Sequence, residues 1–582
     1  MIPFARLFAD ELAFLREIGS EFAAANPTLA PLLAEDGGDP DVHRLLQSFA
    51  FLHARLGQRL QAGLPDLMHD LVAALAPGFL RPLVPMTTVQ WTPVPRALAR
   101  AELIKSGTRI LSRAIEGTPC SFKTCYDVEI APIQVTSIKI DEGARTSFLT
   151  LKFETLDGVS LGDIGLNRLR LHLNGAGRSG LAAELLRRLL VDVLDFKLLV
   201  AGQTIELSKG NIHPVGYGIN ETLFPIDVSA DNSFRTIQEY ITFPQKFHYI
   251  DILGLDSLAG KGAQEFDLAF RLDRSLDDLP QLEPRNFLLH CTPAINLFEA
   301  ESEPITVNGS RSEYRLRVQG SIPGHASISS VSDVWGWVRG DGRRIKFEEF
   351  TTFQHLTTQD KERKPVFRPR REQNPVSVIS DISVGFEFDH PDALLNGCII
   401  TSKLVCSNGT LPSLLPPGYL DHSDTDTPNF ATFKNIDAIT RQIEPPLAEG
   451  LSPLLAILSG NAAPVTDLTT LRRTIAALEF RIGSDSIAER TLQLKLESLR
   501  EIRSSSFHWL VRGQPIRGQR VSIDISEEFL GGQGEAFLFG AVLDAFLMHR
   551  APLNTCFQTE VNCLISGRRF SWPVRLGQKQ TL

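Results

Sequence analysis

Apolar positions in the first eighty residues recur at helical spacing. Phe8, Leu12, Leu15 and Phe22, with Gly19 completing a 4-3-4-3 step, form a stripe close to a coiled-coil seam, and Arg6, Glu11, Arg16 and Glu17 lie largely outside it. Asp39-Pro40 supplies an N-cap carboxylate and a proline for the first helical position; Leu45, Phe49, Leu52, Leu56 and Leu60 then repeat with the same period. Pro65 opens a third helix carrying Leu67, Leu71 and Leu75. The pattern fits a self-contained helical hairpin and equally a bundle completed by helices of another chain. In the second case Phe8, Leu12, Leu15, Phe22, Phe49, Leu52 and Leu56 are the candidate partner-interface residues.

Beyond Leu80 the period shortens to two. Prolines at 82, 85, 93 and 95 interrupt the chain, and Thr87–Trp91 and Gln134–Ile140 alternate as strands do. Strands are expected at Leu169–Leu173, Tyr249–Leu253 and Tyr314–Val318, with a helix at Leu181–Leu194. Pro412–Asn429 reads as a linker or long loop. Helices follow near Thr469–Phe480, Ser486–Glu497 and Glu535–His549, with a strand at Arg520–Ile525 before the last. No fixed-period repeat emerges. These elements predict a multidomain α+β protein, an N-terminal helical bundle segment followed by β-rich domains with a few helices. Its expected divisions are a helical region over 1–80, a β-rich middle domain over 81–320 and a C-terminal α+β domain over 321–582.

The 582 residues can bury large cores, and 43% apolar with 22% charged residues is ordinary for a folded protein. A net charge of -9 disfavours a chain-wide grip on nucleic acid or an anionic membrane. No secretory leader is visible, and no apolar run reaches about 18 residues. A soluble cytoplasmic protein is the expectation. Seven cysteines without C-x2-C spacing read as buried thiols, and the sequons at Asn220, Asn308 and Asn408 as chance.

Two segments compete for a chemical role. Gly175-Ala-Gly177-Arg-Ser-Gly180 fits G-x-G-x-x-G between a strand and a helix, the local context of a dinucleotide fingerprint. Its strand alternates leucine with Arg168, Arg170 and His172, whereas a parallel nucleotide-binding strand is apolar on both faces, so a glycine-rich turn is the favoured reading. Lys361 to Arg371 holds six basic residues and one acid and reads as an exposed loop. A solvated loop is favoured over a docking patch for an acidic partner or nucleic acid, because Phe367 is its lone aromatic. Phosphate-loop, zinc-protease and nucleophile-elbow motifs are missing. No catalytic, metal or cofactor residue is assigned, and the chain is not expected to be an enzyme.

Cys291-Thr-Pro-Ala-Ile-Asn-Leu-Phe298, followed by Glu303-Pro-Ile305 and Ser312-Glu-Tyr-Arg315, resembles the TssF (ImpG, VasA) family of type VI secretion baseplate components. Glu11-Leu-Ala-Phe-Leu-Arg16, Asp39-Pro-Asp-Val-His-Arg44, Phe49-Ala-Phe-Leu-His-Ala-Arg55 and Phe79-Leu-Arg-Pro82 follow the family's N-terminal signature in order. Ser106-Gly-Thr108, Cys120-Ser-Phe122, Gln238-Glu-Tyr240 with Phe243-Pro-Gln-Lys-Phe247, Leu404-Val-Cys406 and Phe537-Leu-Phe-Gly540 extend the likeness along nearly the whole chain. The departures are phenylalanine in place of the family's tyrosines at Phe4 and Phe8, Gln61-Ala-Gly-Leu64 in place of an acidic stretch, and a degenerate region around 451–461. The resemblance implies a wedge subunit whose partners are TssG, TssK, TssE, a second TssF copy and the VgrG spike hub, on the cytoplasmic side of the inner membrane.

Overall fold

The computed structural model describes residues 12, 44–45, 47–52, 67–143, 146–225, 232–307, 311–338, 344–350, 365–372, 379–387, 398–447, 450–459, 467–511, 514–553 and 555–577. They fall in two compact units, one of residues 1–75 with 446–458 and the other of 76–445 with 459–582. In the smaller unit residues 47–52 and 67–75 are helical, and so is Leu451–Ser459, where the apolar spacing buries Leu451, Leu454 and Leu458.

The larger unit is mixed α+β and rich in antiparallel sheet. Its first sheet has the order Ala431–Asn435, Met86–Pro93, Cys291–Ile295, Thr118–Thr124, Arg109–Ile115, so strands far apart in sequence lie side by side. The predicted strand at Thr87–Trp91 sits inside Met86–Pro93, paired on one edge with Cys291–Ile295 and on the other with Ala431–Asn435. Val89, Trp91, Ile110, Phe122 and Phe433 fill the core on this sheet. A second five-stranded sheet runs Gln203–Ser208, Val193–Val200, Glu265–Leu272, Ser147–Thr155, Ile133–Glu142. Its alternation in Glu265–Leu272 buries Phe266, Leu268, Phe270 and Leu272 on one face, as a half-covered sheet requires.

Arg168–Leu173 is central in a four-stranded antiparallel sheet, between Tyr249–Leu253 and Phe287–Leu289. A larger sheet joins Phe298–Glu301, Ser327–Val338, Val366–Glu372, Asp381–Glu387 and Cys398–Ser407, among others. Near the C-terminus, Gln514–Ile525 and Cys556–Cys563 pair in parallel. The Gln533–Arg550 helix connects them. Parallel neighbours need such a crossover, and the connection explains why this helix is apolar almost all round: its residues from Gly534 to Met548 are all buried except Glu535.

Two expectations are corrected. The helix from Leu181 is α as far as Arg187, widens into a π turn over Arg188–Asp192, and gives way to a strand at Val193, two residues before its expected end. There Phe196, Leu198 and Val200 are buried and alternate with the more exposed Lys197 and Leu199, as in a strand. The strand expected at Tyr314–Val318 is Glu313–Arg315. Of the two alternatives for Pro412–Asn429 the structure shows the long loop, which seats Leu415 and Leu420 in the first core and holds Asp421 against Arg113 at 2.6 Å.

Candidate functional site

In the smaller unit, the described partner-interface candidates are Leu12, Phe49 and Leu52. Leu12 is helical and half-buried; Phe49 and Leu52 are 63% and 61% exposed, and Leu45 is exposed beside them. Positions 45, 49 and 52 share one helical face, and large apolar groups so exposed mark a surface suited to association. Ala50, on the other side, is fully buried. Phe8, Leu15, Phe22 and Leu56 lie outside the described residues.

The glycine-rich turn is built for a tight reversal. Ala176, Gly177 and Gly180 all have positive φ, and a Cβ on Gly175 would come within 2.6 Å of the Arg178 carbonyl. Two of its amides are used inside the turn: Ala176 N donates to Asn174 Oδ1 at 2.9 Å and Arg178 N to Gly175 O at 2.9 Å. The strand before it is antiparallel, so the βαβ setting that positions a pyrophosphate is missing. Glu184 on the following helix is occupied by Arg188 at 2.7 Å and Arg187 at 2.5 Å, and Asp192 by Arg187 at 2.8 Å and Arg568 at 3.1 Å. The turn thus serves an ion-pair cluster that ties distant parts of the chain together.

The basic run is corrected as well. Its last residues form the strand Val366–Glu372 with Phe367 buried, and Arg371 is a structural cation. Arg371 donates to the carbonyls of Leu80 (3.1 Å), Ile328 (2.9 Å) and Ser329 (2.8 Å) and to Ser380 Oγ (2.7 Å). Burial pulls its guanidinium down to about 10. Arg370 pairs with Glu313 at 2.9 Å and Arg368 lies 4.4 Å from the Phe350 ring. These three charges are committed within the fold. Residues 361–364 lie outside the described residues.

Sequence reasoning gave no reason for the segments that carry the resemblance, and the structure supplies one for several. Asn296, fully buried at the end of Cys291–Ile295, donates through Nδ2 to Ser121 O at 2.7 Å and Asn408 Oδ1 at 2.8 Å. Its Oδ1 accepts from Asn408 N at 2.6 Å, and Asn408 Oδ1 also accepts from Ser121 N at 3.0 Å. Three segments are thus latched through one buried polar node, and the Asn408 sequon is buried structure. Glu239 and Lys246 form a second node, a buried ion pair; burial pulls the Lys246 ammonium below its usual range, and Glu239 Oε1 also accepts from Leu223 N at 2.8 Å. On the same helix Tyr240 stacks on Phe539 at 5.7 Å. Lys495 lies over the Tyr240 ring at 3.9 Å, and burial takes its ammonium down to about 8.

All seven cysteines are buried and unbridged, and burial raises Cys120 to about 11 and Cys406 to about 12, away from nucleophilic thiolates. His172, His248 and His290 are held down at about 3, 4 and 4 by burial, with His248 adding to the effect on His172. Among the described residues, no group of three or more His, Cys, Asp or Glu side chains is placed to hold a metal, and no helix is long and apolar enough to cross a membrane.

The family model described as type VI secretion system, TssF, matches residues 3–579. Type VI secretion system component TssF1 of Pseudomonas aeruginosa is 26% identical, over 99% of this chain and 99% of its own length. Two solved structures share the fold. A chain of a type VI TssK-TssF-TssG baseplate subcomplex, determined by cryo-electron microscopy, matches with a TM-score of 0.77 and 24% identity over 93% of this chain and 99% of that one. A chain of a type VI baseplate complex matches with a TM-score of 0.62 and 21% identity over the whole of both.

Proposed function

The chain belongs to the TssF family of type VI secretion systems, and from that premise we propose that it is a structural subunit of the baseplate wedge, working through shape and attachment and catalysing no reaction. The observation that carries this reading is the family match across residues 3–579. The related structure of a TssK-TssF-TssG subcomplex makes TssG and TssK the first partners to test. TssE, a second copy of this chain and the VgrG hub complete the proposed neighbourhood, on the cytoplasmic side of the inner membrane. The state of the candidate chemical groups supports the same conclusion: two amides of the glycine turn bond within it, and Arg371 is held by backbone carbonyls.

On this proposal the exposed face of Leu45, Phe49 and Leu52, with Phe8, Leu12, Leu15, Phe22 and Leu56, joins a helical bundle with a neighbouring chain. Bundles bury such a stripe against facing helices, and the gain is about 1.5–3 kcal/mol per large side chain taken out of water. Co-expression of the tagged chain with its TssG and TssK tests it. The wild type co-purifies with both, and Phe49→Asp/Leu52→Asp loses TssG while keeping the wild-type circular dichroism and Tm. Retention of TssG by that folded double variant rejects these residues as the interface, and a wild type that captures neither protein rejects the assembly role.

A further inference from the structure

A cavity of about 370 Å³ lies inside the larger unit, beside the Arg235–Thr242 helix. Its walls are partly apolar, with Phe79, Leu83, Leu297 and Val405 among them; the charged residues Arg81 and Glu349 also line it, and so do two polar side chains of the helix, Arg235 and Gln238. Three residues apart, these two share one helical face. Gln238 is 5% exposed, and its amide nitrogen has no hydrogen-bond partner among the described residues. The same holds for Arg235 Nε and Nη1. Arg235 Nε pairs with Glu239 Oε1 at 3.9 Å, which is beyond hydrogen-bond reach, and that oxygen already accepts from Leu223 N.

Buried donors left unmade are rare, because each forfeits its hydration without compensation. What would satisfy the site follows from its chemistry. A guanidinium and an amide offer donors, and a guanidinium prefers an anionic acceptor with two oxygens. The apolar walls favour a ligand with hydrocarbon next to that acceptor. The volume is at the small end of binding cavities, which run from about 300 to 1,000 Å³, room for a side chain with its flanking residues.

We propose that this cavity receives the carboxylate of an aspartate or glutamate, set in an apolar segment of a neighbouring protein chain, with Arg235 and Gln238 as its donors. The proposal rests on the assembly reading only for the source of the segment. The probes are N-acetyl-Leu-Asp-Leu amide, its Leu-Asn-Leu counterpart and hexanoate, read by saturation-transfer NMR on the full-length chain. The Asp peptide is expected to bind wild type at least ten-fold more tightly than the Asn peptide. Gln238→Met, which removes an amide whose nitrogen has no hydrogen-bond partner among the described residues, and Arg235→Lys, which keeps the charge near Glu239, should each weaken the Asp peptide at least ten-fold, with the Tm of Gln238→Met no lower than that of wild type. Equal binding of the two peptides, unchanged binding by Gln238→Met, or no binding of the Asp peptide overturns the proposal, water then being what fills the cavity. Binding of hexanoate alone overturns the protein source in favour of a small carboxylate. If the peptide fails while the wild type still captures TssG and TssK, this inference falls and the assembly role stands.

Discussion

Replacing Asn296 with leucine tests whether the node joining three segments holds the first sheet together. The side chain is fully buried and makes three hydrogen bonds, at 2.7, 2.8 and 2.6 Å. Leucine leaves the Ser121 carbonyl and the Asn408 N–H without these partners, whereas Asn408 Oδ1 keeps the Ser121 amide. At about 1–3 kcal/mol for each buried group left without a partner, the expected cost is about 2–6 kcal/mol. Asn296→Asp, of nearly the same shape, puts an oxygen where Nδ2 stood, facing Ser121 O and Asn408 Oδ1; it should be worse than leucine at neutral pH and partly relieved in acid. Trp91, buried on the adjacent strand, reports unfolding in a urea titration by fluorescence. Because Asn296→Leu and Asn408→Ala break the same network, the double variant should cost less than the sum of the singles by about 1 kcal/mol or more. A cost below about 1 kcal/mol for Asn296→Leu, or strict additivity, refutes the latch.

Acid should weaken the fold through His172, His248 and His290. Their folded-state values of about 3, 4 and 4 lie below the ordinary 6.5, so the unfolded chain takes up protons that the folded chain refuses; the stabilisation is whole above about 6.5 and drains away as the pH falls to about 4 for His248 and His290 and to about 3 for His172. At pH 5 each group costs about 2 kcal/mol relative to pH 7, offset in part by Glu535 and Asp544, whose carboxyls burial raises; urea midpoints that do not fall between pH 7 and pH 5, or a pH dependence that survives intact in His172→Phe, contradict this. Gly534→Val should destabilise by about 1–3 kcal/mol or more, since a Cβ there would collide with the Glu184 backbone of the neighbouring helix; a wild-type Tm in that variant disproves the close approach.

What the sequence disclosed was mostly local. The strand expected at Tyr249–Leu253 is found there to the residue, and the helix expected at Glu535–His549 lies within Gln533–Arg550. Alternating arginine with leucine in Arg168–Leu173 argued correctly against a parallel nucleotide-binding strand. It could not tell that His172 is buried against Tyr249, since that depends on a strand eighty residues away. The basic run misled because composition registers charge but not its partner: Arg371 is held by carbonyls of Leu80, Ile328 and Ser329. The resemblance rested on motifs whose work is non-local, as with Asn296 and Asn408, 112 positions apart. Arg235 and Gln238 drew no notice as binding residues because a cavity, unlike a motif, has no spacing.

The strand Met86–Pro93 finds its hydrogen-bonding neighbours in Cys291–Ile295 and Ala431–Asn435. A ribosome adding about 5–20 residues per second takes roughly 17–70 s to pass from the first of these strands to the last. Throughout that interval the nascent chain carries an apolar ribbon with open edges, the kind of surface that recruits stray strands. Synthesis rate and chaperone supply, more than the stability of the finished molecule, should therefore set how much of it a cell can make.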